Sequence, residues 1–99
     1  SGPLFFGAAD KILDITLKDY TKCLVLRMRA VNAIDATAMN SLETLYEKCC
    51  DRGVQLIISH ANEQPVTAMK KSGFYDKVGE ENFCAHIDEA LEKAKKYTA

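Results

Sequence analysis

The chain has 99 residues, 47% of them hydrophobic and 27% charged, and a formal net charge of −1. That composition describes one globular domain with a modest core and excludes a disordered chain. It also leaves no electrostatic footprint for nucleic acid, no apolar run near the ~20 residues of a membrane span, and no signal-peptide pattern.

Strand-like and helix-like segments alternate along the chain. Leu4-Phe5-Phe6-Gly7 reads as the end of a strand or an irregular extended piece. Ala8, Ala9, Ile12, Leu13 and Leu17 then recur near helical spacing, with Asp10, Lys11 and Asp14 between them, which predicts a first helix over 8–18. Asp19 to Lys22 is a turn. Cys23 to Met28 is apolar and β-rich, as expected of a strand covered on both faces. Beyond Leu26 it alternates with Arg27 and Arg29, so one face meets solvent at that end. The stretch Ala33-Ile34-Asp35-Ala36-Thr37-Ala38-Met39 follows, placing an Asp and a Thr where a buried strand hands over to a helix. A hydroxyl at such a junction can cap the helix, accept a phosphate or hold a partner.

The next helix carries an apolar stripe of Met39, Leu42, Leu45, Tyr46 and Cys49, and Gly53 stands where a left-handed C-cap is wanted. Val54 to Ser59 is a second buried strand. Asn62-Glu63-Gln64-Pro65 opens a shorter helix, since proline is tolerated in a first turn, and Gly73 ends it. Phe74 to Gly79 reads as a short extended piece or turn. Phe83 leads into a last helix striped by Ile87, Ala90, Leu91 and Ala94, acidic at its start and basic at its end, which suits the helix dipole. The alternation predicts an α/β fold with a mostly parallel sheet and right-handed crossovers. With two strong strands and one or two weak ones, the sheet reads as lacking a strand at its N-terminus.

Cys23, Cys49, Cys50 and Cys84 form no disulfide framework, and a reducing, cytoplasmic setting fits them best. Adjacent helical cysteines such as Cys49 and Cys50 point in different directions and rarely bridge. Cys49, Cys50, His60 and His86 raise a thiol enzyme or a metal site, but their spacings match no zinc pattern, and Cys49 lies on an apolar stripe as a small core residue would. His60 follows a strand, near the functional edge. The expectation is no catalysis, no metal and no cofactor.

Four segments, taken in order, carry a family resemblance: Gly2-Pro3-Leu4-Phe5-Phe6-Gly7-Ala8-Ala9, the loop Val31-Asn32-Ala33-Ile34-Asp35-Ala36-Thr37, Asn62-Glu63-Gln64-Pro65 with Lys71-Ser72-Gly73-Phe74, and Phe83 to Ala90. Together they resemble the STAS domain of bacterial SulP anion transporters over the whole chain, as a single domain of residues 1–99. The resemblance implies a non-catalytic regulatory or interaction domain of a sulfate-type secondary transporter, on the cytoplasmic face of the inner (plasma) membrane. Its implied partner is the parent's transmembrane domain, with a second copy or a cytosolic protein as other partners. It also implies a further strand ahead of the Gly2–Ala9 opening. Ala38 departs from the family pattern, which places glycine after the Ser/Thr.

Asp35, Ala36, Thr37, Ala38, Met39 and Asn40 are the expected partner-binding residues. Thr37 matches the position that anti-sigma factor antagonists phosphorylate, so a free-standing antagonist switched at Thr37 is the alternative. There a phosphate would meet a helix N-terminus, although Asp35 would repel it, and a plain helix cap outranks it. Nucleotide or anion binding at this loop and the start of the third helix ranks lower still, because no Gly-rich phosphate loop and no P-loop lysine is present. Phe5, Phe6, Phe74, Tyr75 and Phe83 outnumber what the core needs, and grouped on the surface they would mark a docking patch.

Overall fold

A computed structural model describes residues 3–98, apart from the side chain of Leu13. Gly2 of the opening segment, and the strand expected ahead of it, lie outside the described residues.

Four strands make one parallel sheet in the order β1-β2-β3-β4: Leu4–Ala8, Cys23–Arg27, Gln55–Ser59 and the two-residue Phe83–Cys84. Strand order follows chain order, and right-handed crossovers between such strands all fall on one side of the sheet. The packing agrees. Leu24, Leu26, Leu56 and Ile58 point toward helix α1 (Ala36–Asp51), helix α2 (Glu63–Ser72) and helix α3 (Phe74–Val78), and form the larger core with Met39, Leu42, Leu45, Met69 and Phe74. The alternate residues Cys23, Val25, Ile57 and Cys84 face the other way and meet Ala90 and Ala94 of helix α4 (Ile87–Thr98). Alanines at that contact let α4 lie close on the sheet.

Helix α1 shows why the alternation was readable. Met39, Leu42, Leu45 and Cys49 are its buried stripe, as the spacing predicts. It ends in a Schellman motif: the Val54 N–H donates to the Cys49 carbonyl at 2.8 Å, the Gly53 N–H donates to the Cys50 carbonyl at 3.3 Å, and Gly53 sits at φ 67°.

Besides β4, whose Phe83 the sequence reads as leading into the last helix, two elements differ from the sequence reading. The helix expected over 8–18 is a 3₁₀ segment, Ala9–Asp14, interrupted at Lys11, and Ala8 closes β1 instead. Ala9, Ile12 and Ile15 are spaced by three, the 3₁₀ repeat, so this spacing seats all three on the core without an α-helix. Gly7 makes room for Ile15, because a Cβ there would stand 2.8 Å from Ile15 Cδ1. The second difference is Phe74–Val78, expected as extended or a turn and observed as helix α3. Phe74 and Val78 are four apart, and both turn inward, Phe74 completely (0% exposed). That packing overrides the β-preference of Phe, Tyr and Val.

Candidate functional site

The expected docking loop is held from behind by α2. After β2 the chain turns, with the Val31 N–H donating to the Met28 carbonyl at 3.0 Å. Asn62 occupies the N-cap position of α2 but does not cap it. Its side-chain amide reaches across and donates to the Val31 carbonyl at 2.8 Å and the Arg29 carbonyl at 3.3 Å. Two residues on, Gln64 brackets Ile34: its Oε1 accepts the Ile34 N–H at 2.8 Å, and its Nε2 donates to the Ile34 carbonyl at 3.5 Å. Ile34 itself is buried in the core. Asp35 then caps α1 by accepting the Ala38 N–H at 2.8 Å.

The six expected contact residues divide between surfaces. Asp35, Ala36 and Asn40 are exposed, and with Met39 they line a groove of about 510 Å³ between α1 and α2, walled opposite by Ala68 and Lys71. Met39 is 8% exposed and serves mainly as the groove's floor, where its sulfur accepts the Ser72 hydroxyl at 3.4 Å. Ala38 is half-buried against the core. Thr37 is exposed but turned away, lining a different cleft with Ile12, Ile15 and Lys48. The helix cap belongs to Asp35, so the Thr37 hydroxyl is not needed for it.

A second concavity on the same rim was not singled out by the sequence. Its walls include Arg29, His60, Asn62, Val66, Phe83 and Ala85, enclosing about 480 Å³. The available signal was positional: Arg29, His60 and Ala85 follow the ends of β2, β3 and β4, where ligands of open α/β sheets bind.

The five aromatics do not gather into one patch. Phe74 is core, Phe5 is half-buried against it, Tyr75 and Phe83 stack with ring centroids 4.3 Å apart, and Phe6 is exposed on β1, at the opposite edge of the sheet from Phe83.

Burial holds three of the thiols neutral. Burial pushes Cys23 and Cys49 up to about 11, and burial also raises Cys84, with nearby Glu89 adding to the rise and Lys93 opposing it. Such thiols stay protonated at neutral pH and are poor nucleophiles. His60 and His86 lie edge to face, 5.8 Å between ring centroids, and among the described residues no group of three or more His, Cys, Asp or Glu is placed to hold a metal.

A family model described as "STAS domain" matches residues 1–93. The chain belongs to the STAS domain family. Among solved structures, this STAS domain superposes on a sulfate transporter family protein from Wolinella succinogenes with a TM-score of 0.84 and 33% identity, covering 96% of this chain and 87% of that one. A SulP transporter STAS domain from Vibrio cholerae shares the fold, with a TM-score of 0.78 and 24% identity, over 95% and 82% of the two chains. Sulfate transporter 4.1, chloroplastic, of Arabidopsis thaliana is 31% identical over 91% of this STAS domain. The domain spans only 11–17% of the length of the curated relatives it matches. None of its described helices is long and apolar enough to cross a membrane.

Proposed function

We propose that this STAS domain is the regulatory and protein-interaction part of a SulP-type secondary anion transporter. In this reading it lies on the cytoplasmic face of the inner membrane and docks against the transmembrane domain of its parent. The observation that carries the reading is the braced loop. Gln64 and Asn62 fix the backbone from Arg29 to Ile34, and Asp35 fixes the start of α1, so Asp35, Ala36 and Asn40 form a preformed rim around the α1–α2 groove. A preformed rim loses little freedom when a partner binds, which favours docking over induced folding. The work done is interface formation, with no bond chemistry and no cofactor. The relatives named as sulfate transporters give no support to the free-standing antagonist, and Thr37 faces away from the groove.

The test uses the full-length parent. Ala36→Arg or Asn40→Arg places a bulky cation on the rim, at exposed positions where the domain's own stability should change by less than ~0.5 kcal/mol. Anion uptake into vesicles should change several-fold, with crosslinking between the domain and the membrane part reduced. Unchanged uptake and crosslinking in both variants would remove the loop from the interface. Loss of self-association alone would assign the groove to a second copy.

A further inference from the structure

We propose that the cleft at the C-terminal rim of the sheet, between Arg29, His60 and Phe83, is a binding site for a small organic anion: an oxyanion head on an apolar body. It is a different surface from the docking groove, and the inference does not depend on the docking reading.

The topology makes the site. All four strands are parallel, so the residues that follow them emerge along one rim. Arg29 follows β2, His60 directly follows β3 and Ala85 directly follows β4, and the three line one cavity of about 480 Å³. Ligands of open α/β sheets bind outside the carboxyl ends of the strands for this geometric reason.

The charge selects an anion. Arg29 is the one formally charged residue on the walls, and no Asp or Glu lines them. The ion pairs among the described residues are Lys77 with Glu43 and Lys95 with Glu92, so none of them engages Arg29. Glu63, in the first turn of α2, is exposed and does not line the cleft. A guanidinium with a carboxylate or phosphate makes two parallel hydrogen bonds, the geometry for which arginine is suited. His60 adds a second nitrogen donor to the same cavity.

His60 is held there at a conformational cost. Its φ is 57°, the one positive value at a non-glycine among the described residues. The backbone is tied in place by the His60 N–H, which donates to the Cys84 carbonyl at 3.0 Å and links β3 to the end of β4. Glycine or asparagine would adopt that conformation more readily. From that position its ring lines the cleft and meets the His86 ring edge to face, 5.8 Å between centroids.

Another part of the lining is apolar and fixed. Phe83 and Val66 line it, and Phe83 is braced by its stack on Tyr75, over whose ring the Lys70 ammonium lies at 5.0 Å. A bare inorganic anion would leave this wall in water, whereas an anion with a flat apolar body covers it.

The test is an amide-shift titration of the isotopically labelled domain with benzoate, phenyl phosphate, inorganic sulfate and neutral benzyl alcohol. Benzoate or phenyl phosphate should give saturable shifts centred on Ala30, Ala61 and Ala85, and the tighter of the two identifies the head group. Arg29→Gln should weaken that binding at least tenfold. His60→Asn, which keeps the backbone conformation accessible, should weaken it several-fold. Retained spectral dispersion in both variants reports that each is folded. No saturable shift with either aromatic anion on the order of 10 mM, where millimolar affinity would be evident, overturns the proposal. So does equal binding by Arg29→Gln, equal binding of benzyl alcohol, or sulfate binding as tightly as phenyl phosphate. Shifts confined to Ala36 to Asn40 would also overturn it, by moving the anion to the docking loop.

Discussion

The docking loop and the anion cleft are neighbours on one rim of the sheet, yet they treat their polar groups in opposite ways. In the loop, backbone groups from Arg29 to Ala38 are met by Asn62, Gln64 and Asp35. In the cleft, a guanidinium has no carboxylate among the described residues and a histidine occupies a left-handed backbone position. Internal satisfaction produces a rigid shape, which suits recognition by a surface. An unanswered charge beside an apolar wall suits a ligand that brings the missing half.

The largest expected effect tests whether the two regions share one fate. Cys23 of β2 and Cys49 of α1 are buried thiols held near 11, against 9.0 for the unfolded chain. A raised folded-state value favours the neutral thiol in the fold, so the stabilisation is intact below about pH 9 and is lost as pH rises toward 11. At ~1.4 kcal/mol per unit, each thiol contributes on the order of 2–3 kcal/mol to that loss. Denaturant melts at rising pH should weaken over this window, with loop and cleft amides losing exchange protection together. Separate losses would show that the two regions unfold as independent units.

Asn62→Ala comes next, because Asn62 donates to the loop and also lines the cleft. Its loss should cost ~1–3 kcal/mol in chemical denaturation and shift amides on both sides. A change confined to one side would break the link between them.

Asp35→Ala should cost ~1 kcal/mol, as lost N-caps do, and disturb the loop while leaving anion titration of the cleft unchanged. Weakened anion binding would mean the regions are less separate than their hydrogen bonds imply. The smallest effect is expected for His60→Gly. Relief of the positive φ should leave thermal stability equal or raise it by up to ~1 kcal/mol, while binding in the cleft falls. A clear loss of stability instead would make His60 a structural residue.

How much of this was legible in the sequence differs between the same two regions. The loop was legible because its signals are local: Asp35 precedes an apolar stripe at Met39, Leu42, Leu45 and Cys49, and a capped helix follows from those residues alone. The α/β class followed from the same periodicity. The sequence placed all six contact residues together, but a helix turns 100° per residue, so Thr37 and Met39 serve different surfaces, and Asn40 borders both clefts. The braces were invisible because Gln64 and Ile34 are 30 residues apart. The cleft depends on three strand ends meeting, which no window of sequence displays. Helix α3 was missed because Phe74 and Val78 are only four apart, and one such pair is too short a repeat to outweigh β-forming side chains.

Cys50 offers a use of a different kind. It is exposed at the far end of α1, while Cys23, Cys49 and Cys84 are buried. Alkylating dyes should therefore choose it without prior mutagenesis of the others. From Asp35 to Cys50 the helix advances ~22 Å, at ~1.5 Å per residue. A fluorophore on this one thiol sits clear of both loop and cleft, at a distance suited to energy transfer. The native sequence thus supplies its own ruler for measuring how closely the loop approaches whatever it docks against.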